Sequence, residues 1–134
     1  MNRHTLPKKI STPAAPAAIG PYSQAALCGS TLYTSGQIPI IPATGAVLAG
    51  DISAQARQVC ENLGAVLAAA GTDFSHVIKT TCFLADMADF SAFNSVYEQY
   101  FTEKPARSCV AVRALPLGVL CEIEAVAHVP GAVS

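Results

Sequence analysis

Apolar residues recur at two different spacings along this chain, and the changes of spacing mark its elements. Ile52, Ala56, Val59, Leu63, Val66, Leu67 and Ala70 follow a three-four spacing, which is the buried face of a helix and predicts one over Ser53 to Ala70. Asp51 or Ser53 can accept from the free N–H groups at its start, and Gly71 can end it. A second helix is predicted from about Asp89 to Phe101, with Phe90, Phe93, Tyr97, Tyr100 and Phe101 on one face and Pro105 just beyond its end.

The remaining apolar stretches are short, alternating or β-branched. They predict strands near 24–28, from Thr31 through "TLYTSGQ", within "SHVIKTTCFLAD" at 75–86, at 107–113 and at 119–127. Gly29-Ser30 reads as a tight turn between the first two, and "PIIPATGAVLAGD" as a loop. Pro7, Pro13, Pro16 and Pro21 keep the start of the chain extended or turning. The order is β-β-α-β-α-β-β. An α+β domain over residues 1–134 satisfies it, with one mixed sheet, both helices on one face, and residues 1–11 as a flexible N-terminal extension.

Composition then asks what covers the other face. Hydrophobic residues make up 51% of the chain and charged residues 13%, against roughly 25% charged in ordinary globular proteins. A surface so poor in charge suits a subunit covered by its neighbours. The formal net charge is −1 and no basic run extends beyond Lys8-Lys9, so no electrostatic footprint for nucleic acid is present. No apolar run is long enough to span a bilayer, and the proline-broken start lacks a signal-like apolar core, so a cytoplasmic location and no membrane partner are expected. The five cysteines show no CxxC spacing, and His4, His76 and His128 lie far apart in sequence. Neither a disulfide framework nor a metal site is expected.

The last two strands hold the candidate chemistry. Alternation puts Arg107 and Cys109 on one face of 107–113, and Glu122 and Glu124 on one face of 119–127. The Val110/Val112 and Cys121/Ile123 faces read as core. A hairpin through Leu115 to Gly118 would pair the strands antiparallel, with Cys109 opposite Glu122 and Arg107 opposite Glu124. Arg107 is then either half of a cross-strand ion pair with Glu124, or a fixed guanidinium for a ligand carboxylate with a carboxylate nearby for proton transfer.

Five stretches in order, "PAAIGPYSQA", "TSGQIP", "VIKTTCFLADMADFSAFNSVY", "PARSCVAV" and "CEIEAVA", resemble the RidA/YjgF family of enamine/imine deaminases over nearly the whole chain. The resemblance implies a chorismate-mutase-like fold, a homotrimer with clefts between neighbouring subunits, and no metal or organic cofactor. It implies hydrolysis of reactive imino acids such as 2-aminoacrylate, 2-iminopropanoate and 2-iminobutanoate to 2-oxo acids and ammonia, which protects pyridoxal-phosphate enzymes. Arg107 corresponds to the carboxylate-holding arginine and Glu122 to the group that activates water. Tyr22, Ser35, Asn94 and Cys109 correspond to substrate-pocket residues. Gly36, beside Ser35, would let a ligand approach the backbone. Taken alone, Tyr22 also reads as an aromatic cover, Ser35 as a turn hydroxyl and Asn94 as a solvent-facing helix residue. Cys109 has no histidine placed to activate it.

The chain departs from the family pattern at Thr102–Lys104, a shorter connection than its relatives carry, which bears on pocket size. Two other activities stay open at this point. One is a sensor that binds carboxylates or 2-oxo acids without catalysis and needs Arg107 but not Glu122. The other is RNA cleavage, which the charge balance disfavours.

Overall fold

A computed structural model describes residues 6–132. The strands are β1 (Lys8–Ile10), β2 (Ala25–Cys28), β3 (Thr31–Thr34), β4 (Val77–Leu84), β5 (Ala106–Ala111) and β6 (Cys121–His128), with helices α1 (Ile52–Ala69) and α2 (Phe90–Tyr100) between β3 and β4 and between β4 and β5. They form one mixed sheet in the order β1-β2-β3-β6-β4-β5. The expected α+β architecture is therefore present.

Local sequence explains both ends of α1. The carboxylate of Asp51 accepts from the Ala54 N–H at 2.9 Å, an N-cap. At the other end the Thr72 N–H reaches the Leu67 carbonyl at 3.0 Å and the Gly71 N–H reaches that of Ala68 at 3.0 Å. This is a Schellman closure, with Gly71 at φ +87° where a side chain would be strained. Both helices pack on the sheet face that carries Leu32, Cys82, Leu84, Cys121, Ile123 and Ala127, and the core lies between them.

Three expectations need correction. The N-terminal stretch read as a flexible extension contributes β1, which pairs antiparallel with β2 and buries Ile10 opposite Ala25. His4 lies outside the described residues.

Second, β5 and β6 are not a hairpin. β4 lies between them, parallel to β5 and antiparallel to β6. The β4-α2-β5 unit is a crossover connection, which places β5 at the sheet edge. The segment after β5 passes the end of β4, where the Val112 N–H donates to the Leu84 carbonyl and the Ala85 N–H to that of Leu120. Leu115–Gly118, expected as a hairpin turn, is part of this passage and holds Leu117 at φ +58°.

Third, the faces of β5 are reversed. Register aligns Arg107 with Thr80 and Ala125, and Cys109 with Cys82 and Ile123, all on the helix side. Val110 points the other way and is 46% exposed. Apolar residues stand on both faces of this sheet, so the apolar side of an edge strand was the wrong guide to its core side. The expected Cys109–Glu122 and Arg107–Glu124 pairings do not form.

Candidate active site

The expected site residues fall into two clusters on opposite faces of the sheet. On the helix side, Arg107 reaches from β5 over α2. Its Nη1 donates to Asn94 Oδ1 at 2.7 Å. Its guanidinium carbon stands 4.8 Å from the centre of the Tyr97 ring and 5.5 Å from that of Phe90, within cation–π range. Phe90, Asn94 and Tyr97 share one stripe of α2 by their spacing. Asn94 is thus a partner of the arginine rather than a free surface residue. A cavity of about 320 Å³ opens beside it, lined by Asn94, Tyr97, Phe101, Lys104, Pro105 and Arg107 among others.

Among the described residues the one ion pair is His76 with Asp73, so Arg107 forms none there, although Glu98 lines the same cavity. A guanidinium has five N–H donors, and among the described residues Asn94 is its one hydrogen-bonded side-chain partner. The rest can meet an anion, and a planar carboxylate matches their geometry.

Cys109 is half-buried next to Cys82 on the neighbouring strand. Burial pushes its thiol up, against a smaller lowering by Arg107. The neutral thiol is therefore favoured, which is the wrong state for a nucleophile.

The second cluster lies on the open face. Glu122 and Glu124, two apart on β6, line a cavity of about 590 Å³ with Ile19, Tyr22, Ser35, Gly36, Ile38 and Pro116. Of the expected site residues, this cavity brings together Tyr22, Ser35, Gly36 and Glu122. The Gln37 N–H donates to the Ile123 carbonyl at 2.8 Å and the Gln37 carbonyl accepts in return from the Ile123 N–H at 3.1 Å, which sets Gly36 against β6. A Cβ built on Gly36 would fall on the Glu122 carboxylate. This glycine makes room for the chain's own glutamate, where the sequence suggested room for a ligand. Ser35 Oγ donates to the Ser23 carbonyl at 2.6 Å and the Ser35 N–H to that of Gln24 at 2.9 Å. The Tyr22 segment is thereby tied to the end of β3, and Tyr22 stays half-exposed at the cavity rim.

Glu122 is half-buried, and its carboxyl is pushed above the ordinary range, first by burial and then by Glu124. A carboxylate with a raised pKa and no fixed partner is a better proton acceptor than a salt-bridged one.

Arg107 and Glu122 are therefore not brought together within one chain. The sequence also missed two residues, Thr80 and the Tyr97 hydroxyl, which bond each other at 2.7 Å beneath Arg107. Tyr97 was legible only as part of an aromatic core stripe.

Comparison with known proteins places the chain among close relatives. The Endoribonuclease L-PSP family model matches residues 12–129. A 2-iminobutanoate/2-iminopropanoate deaminase of Salmonella typhimurium is 53% identical over 126 residues, covering 91% of this chain and 98% of the relative. The crystal structure of the Escherichia coli YjgF gene product superposes with a TM-score of 0.86 at 50% identity, covering 90% of this chain and 98% of that one. That of Escherichia coli TdcF with bound serine superposes with a TM-score of 0.86 at 48% identity and the same coverage.

Proposed function

The chain belongs to the RidA/YjgF family, and from that premise we propose that it hydrolyses small 2-imino acids to 2-oxo acids and ammonia. The guanidinium of Arg107, in no ion pair among the described residues, carries this reading. It is clamped by Asn94 over an aromatic ring and offers a carboxylate two parallel N–H bonds. The deaminase name of the Salmonella relative and the serine bound by the TdcF structure support a ligand with an amino-acid-like carboxylate.

The chemistry needs few groups. The imine carbon is already electrophilic. Arg107 holds the carboxylate and so fixes the C2 plane. Glu122 takes a proton from water as the water oxygen bonds to C2, the C=N π pair moves to nitrogen, and Glu122 passes that proton to it, giving the neutral carbinolamine. Glu122 then takes the proton of the new hydroxyl and delivers it to the departing nitrogen as C=O forms and the C–N bond breaks, and the products are a 2-oxo acid and ammonia. No step calls for a metal or an organic cofactor.

Arg107 and Glu122 point away from opposite sides of one sheet, so a shared substrate requires two copies of the chain. We place the cleft between neighbouring subunits of a homotrimer, with the Arg107–Asn94 wall from one and the Tyr22–Ser35–Gly36–Glu122 wall from the next. The low charge of the chain and the exposed Tyr33, Ile78 and Val110 support such a covered face.

The test is a coupled assay of ammonia and 2-oxo acid release from freshly generated 2-iminopropanoate and 2-iminobutanoate. Arg107→Ala should abolish turnover with the assembly intact. Glu122→Gln should abolish turnover yet still bind pyruvate, which separates an enzyme from a non-catalytic carboxylate sensor. Wild-type turnover by Arg107→Ala would refute the assignment.

A further inference from the structure

We infer that Tyr97, held by Thr80, is a positioning residue for carboxylate recognition, its ring fixing the plane in which Arg107 presents its N–H groups. The inference rests on the reading of Arg107 as the substrate anchor.

Arginine side chains have large rotamer freedom, and β5 is an edge strand that does little to restrain one. Yet Arg107 is held on three sides, by Asn94 at one nitrogen, Tyr97 across its face and Phe90 beyond. All three partners are neutral, so the holding does not consume the charge. Burial pushes the Tyr97 hydroxyl up to about 12, so the ring under the cation is a phenol and not a phenolate that would compete with substrate.

Tyr97 is itself fixed. Its ring stacks on Phe101 at 4.3 Å between centres and 19° between planes. Its hydroxyl bonds Thr80 Oγ1 at 2.7 Å, and Thr80 is the register partner of Arg107 on β4. A closed circuit results. The ladder fixes the Thr80 backbone beside that of Arg107, Thr80 fixes the tip of Tyr97, and Tyr97 fixes the far end of Arg107.

Neither polar group is needed to fill space. Thr80 is 1% exposed and Tyr97 8%, so valine and phenylalanine would occupy the same core volume without burying a hydroxyl. Burying this pair makes sense where orientation matters, because a bonded hydroxyl sets ring position more narrowly than apolar packing does. The ring covers one face of the guanidinium and leaves its edge, the side that makes bidentate bonds to a carboxylate.

The test uses the full assembled protein, with kcat and KM on 2-iminobutanoate, calorimetric binding of pyruvate, and melting temperature. Tyr97→Phe and Thr80→Val should each raise KM and the pyruvate Kd about three- to tenfold with kcat little changed, as expected for losing one hydrogen bond that orients a binding group. The double variant should add nothing further, since both changes break the same bond. Tyr97→Leu should lose about tenfold or more, with Tyr97→Phe restoring most of it. Unshifted KM and Kd in Tyr97→Phe and Thr80→Val, or effects that multiply in the double variant, overturn the inference, as does a lowered melting temperature with unchanged binding. If wild-type protein neither releases ammonia nor binds pyruvate, the deaminase reading fails and takes this inference with it. A normal wild type with unshifted variants overturns the inference alone.

Discussion

Arg107 and Glu122 rise from opposite faces of the same sheet, Arg107 beside Thr80 on the helix side and Glu122 beside Phe83 on the open side. A small imino acid cannot bridge a sheet through its own thickness. The two groups can act on one molecule only if separate copies of the chain supply them.

That geometry predicts complementation. Arg107→Ala and Glu122→Gln proteins should each be inactive alone. Unfolded together in equal amounts and refolded, they should regain about one quarter of wild-type activity, since a cleft drawing its arginine from one random copy and its glutamate from the next is intact about one time in four. Activity of the mixture no higher than that of the separate variants would show that both groups act within one chain.

Gly36 controls where Glu122 sits. Because a Cβ there would overlap the carboxylate, Gly36→Ala should displace it while leaving the Arg107 wall untouched. We expect kcat to fall by about 10²-fold, the scale of a misplacement of about 1 Å in a reacting group, with pyruvate binding nearly unchanged. Steady-state kinetics beside calorimetry decides it, and a wild-type kcat would remove Glu122 from the mechanism.

Much of this molecule was legible in its sequence, and what was not has a physical cause. The apolar stripe from Ile52 to Ala70, the Asp51 cap and the Gly71 terminator are local signals, and α1 follows them. β1 was hidden in the stretch read as a flexible extension, but the other five of the six strand segments were equally plain. Their pairing was not, because alternation along β5 and β6 carries no information about β4 inserting between them. Nor does alternation name the core side when Val110 and Cys109 are both apolar. The candidate residues could be picked out one by one through the family resemblance. Their division into two walls needed the register.

The raised pKa of Glu122 sets two pH dependences. In the proposed mechanism Glu122 acts in its ionised form, so kcat/KM should rise with pH through a midpoint above the ordinary glutamate range. Glu124→Gln should lower that midpoint by removing a like charge. For stability the sign is opposite. A carboxyl whose folded pKa is raised binds its proton more tightly in the folded state. Its contribution is fully present below the unfolded pKa and is lost as pH rises through the folded one. Glu122→Gln should therefore gain in melting temperature relative to wild type on going from about pH 4 to pH 7, around and above the ordinary glutamate pKa. A relative gain that shrinks over that range would contradict the burial of this group.

Asn62 links the first helix to the acidic wall. It is 1% exposed, and its Nδ2 donates to the carbonyls of Ile38 at 3.1 Å and Ile40 at 2.8 Å. Its Oδ1 accepts from Gln58 Nε2 at 2.9 Å. Ile38 lines the cavity that holds Glu122. Asn62→Ala leaves the Ile40 carbonyl without its donor and the Ile38 carbonyl with only the Ile40 N–H at 2.7 Å, at a cost of about 1–3 kcal/mol for the one unpaired buried group. Urea unfolding measures that cost. The more telling readout is functional. The segment Asn62 holds also sets Gly36 against Glu122, so the folded fraction of Asn62→Ala should show a lowered kcat while binding pyruvate through an undisturbed Arg107. Asn62→Asp, which fills the site but cannot donate, should behave at least as badly. If Asn62→Asp kept both stability and kcat, the two donated bonds would not be what holds this segment, and its support would have to come from the Gln37–Ile123 bridge alone.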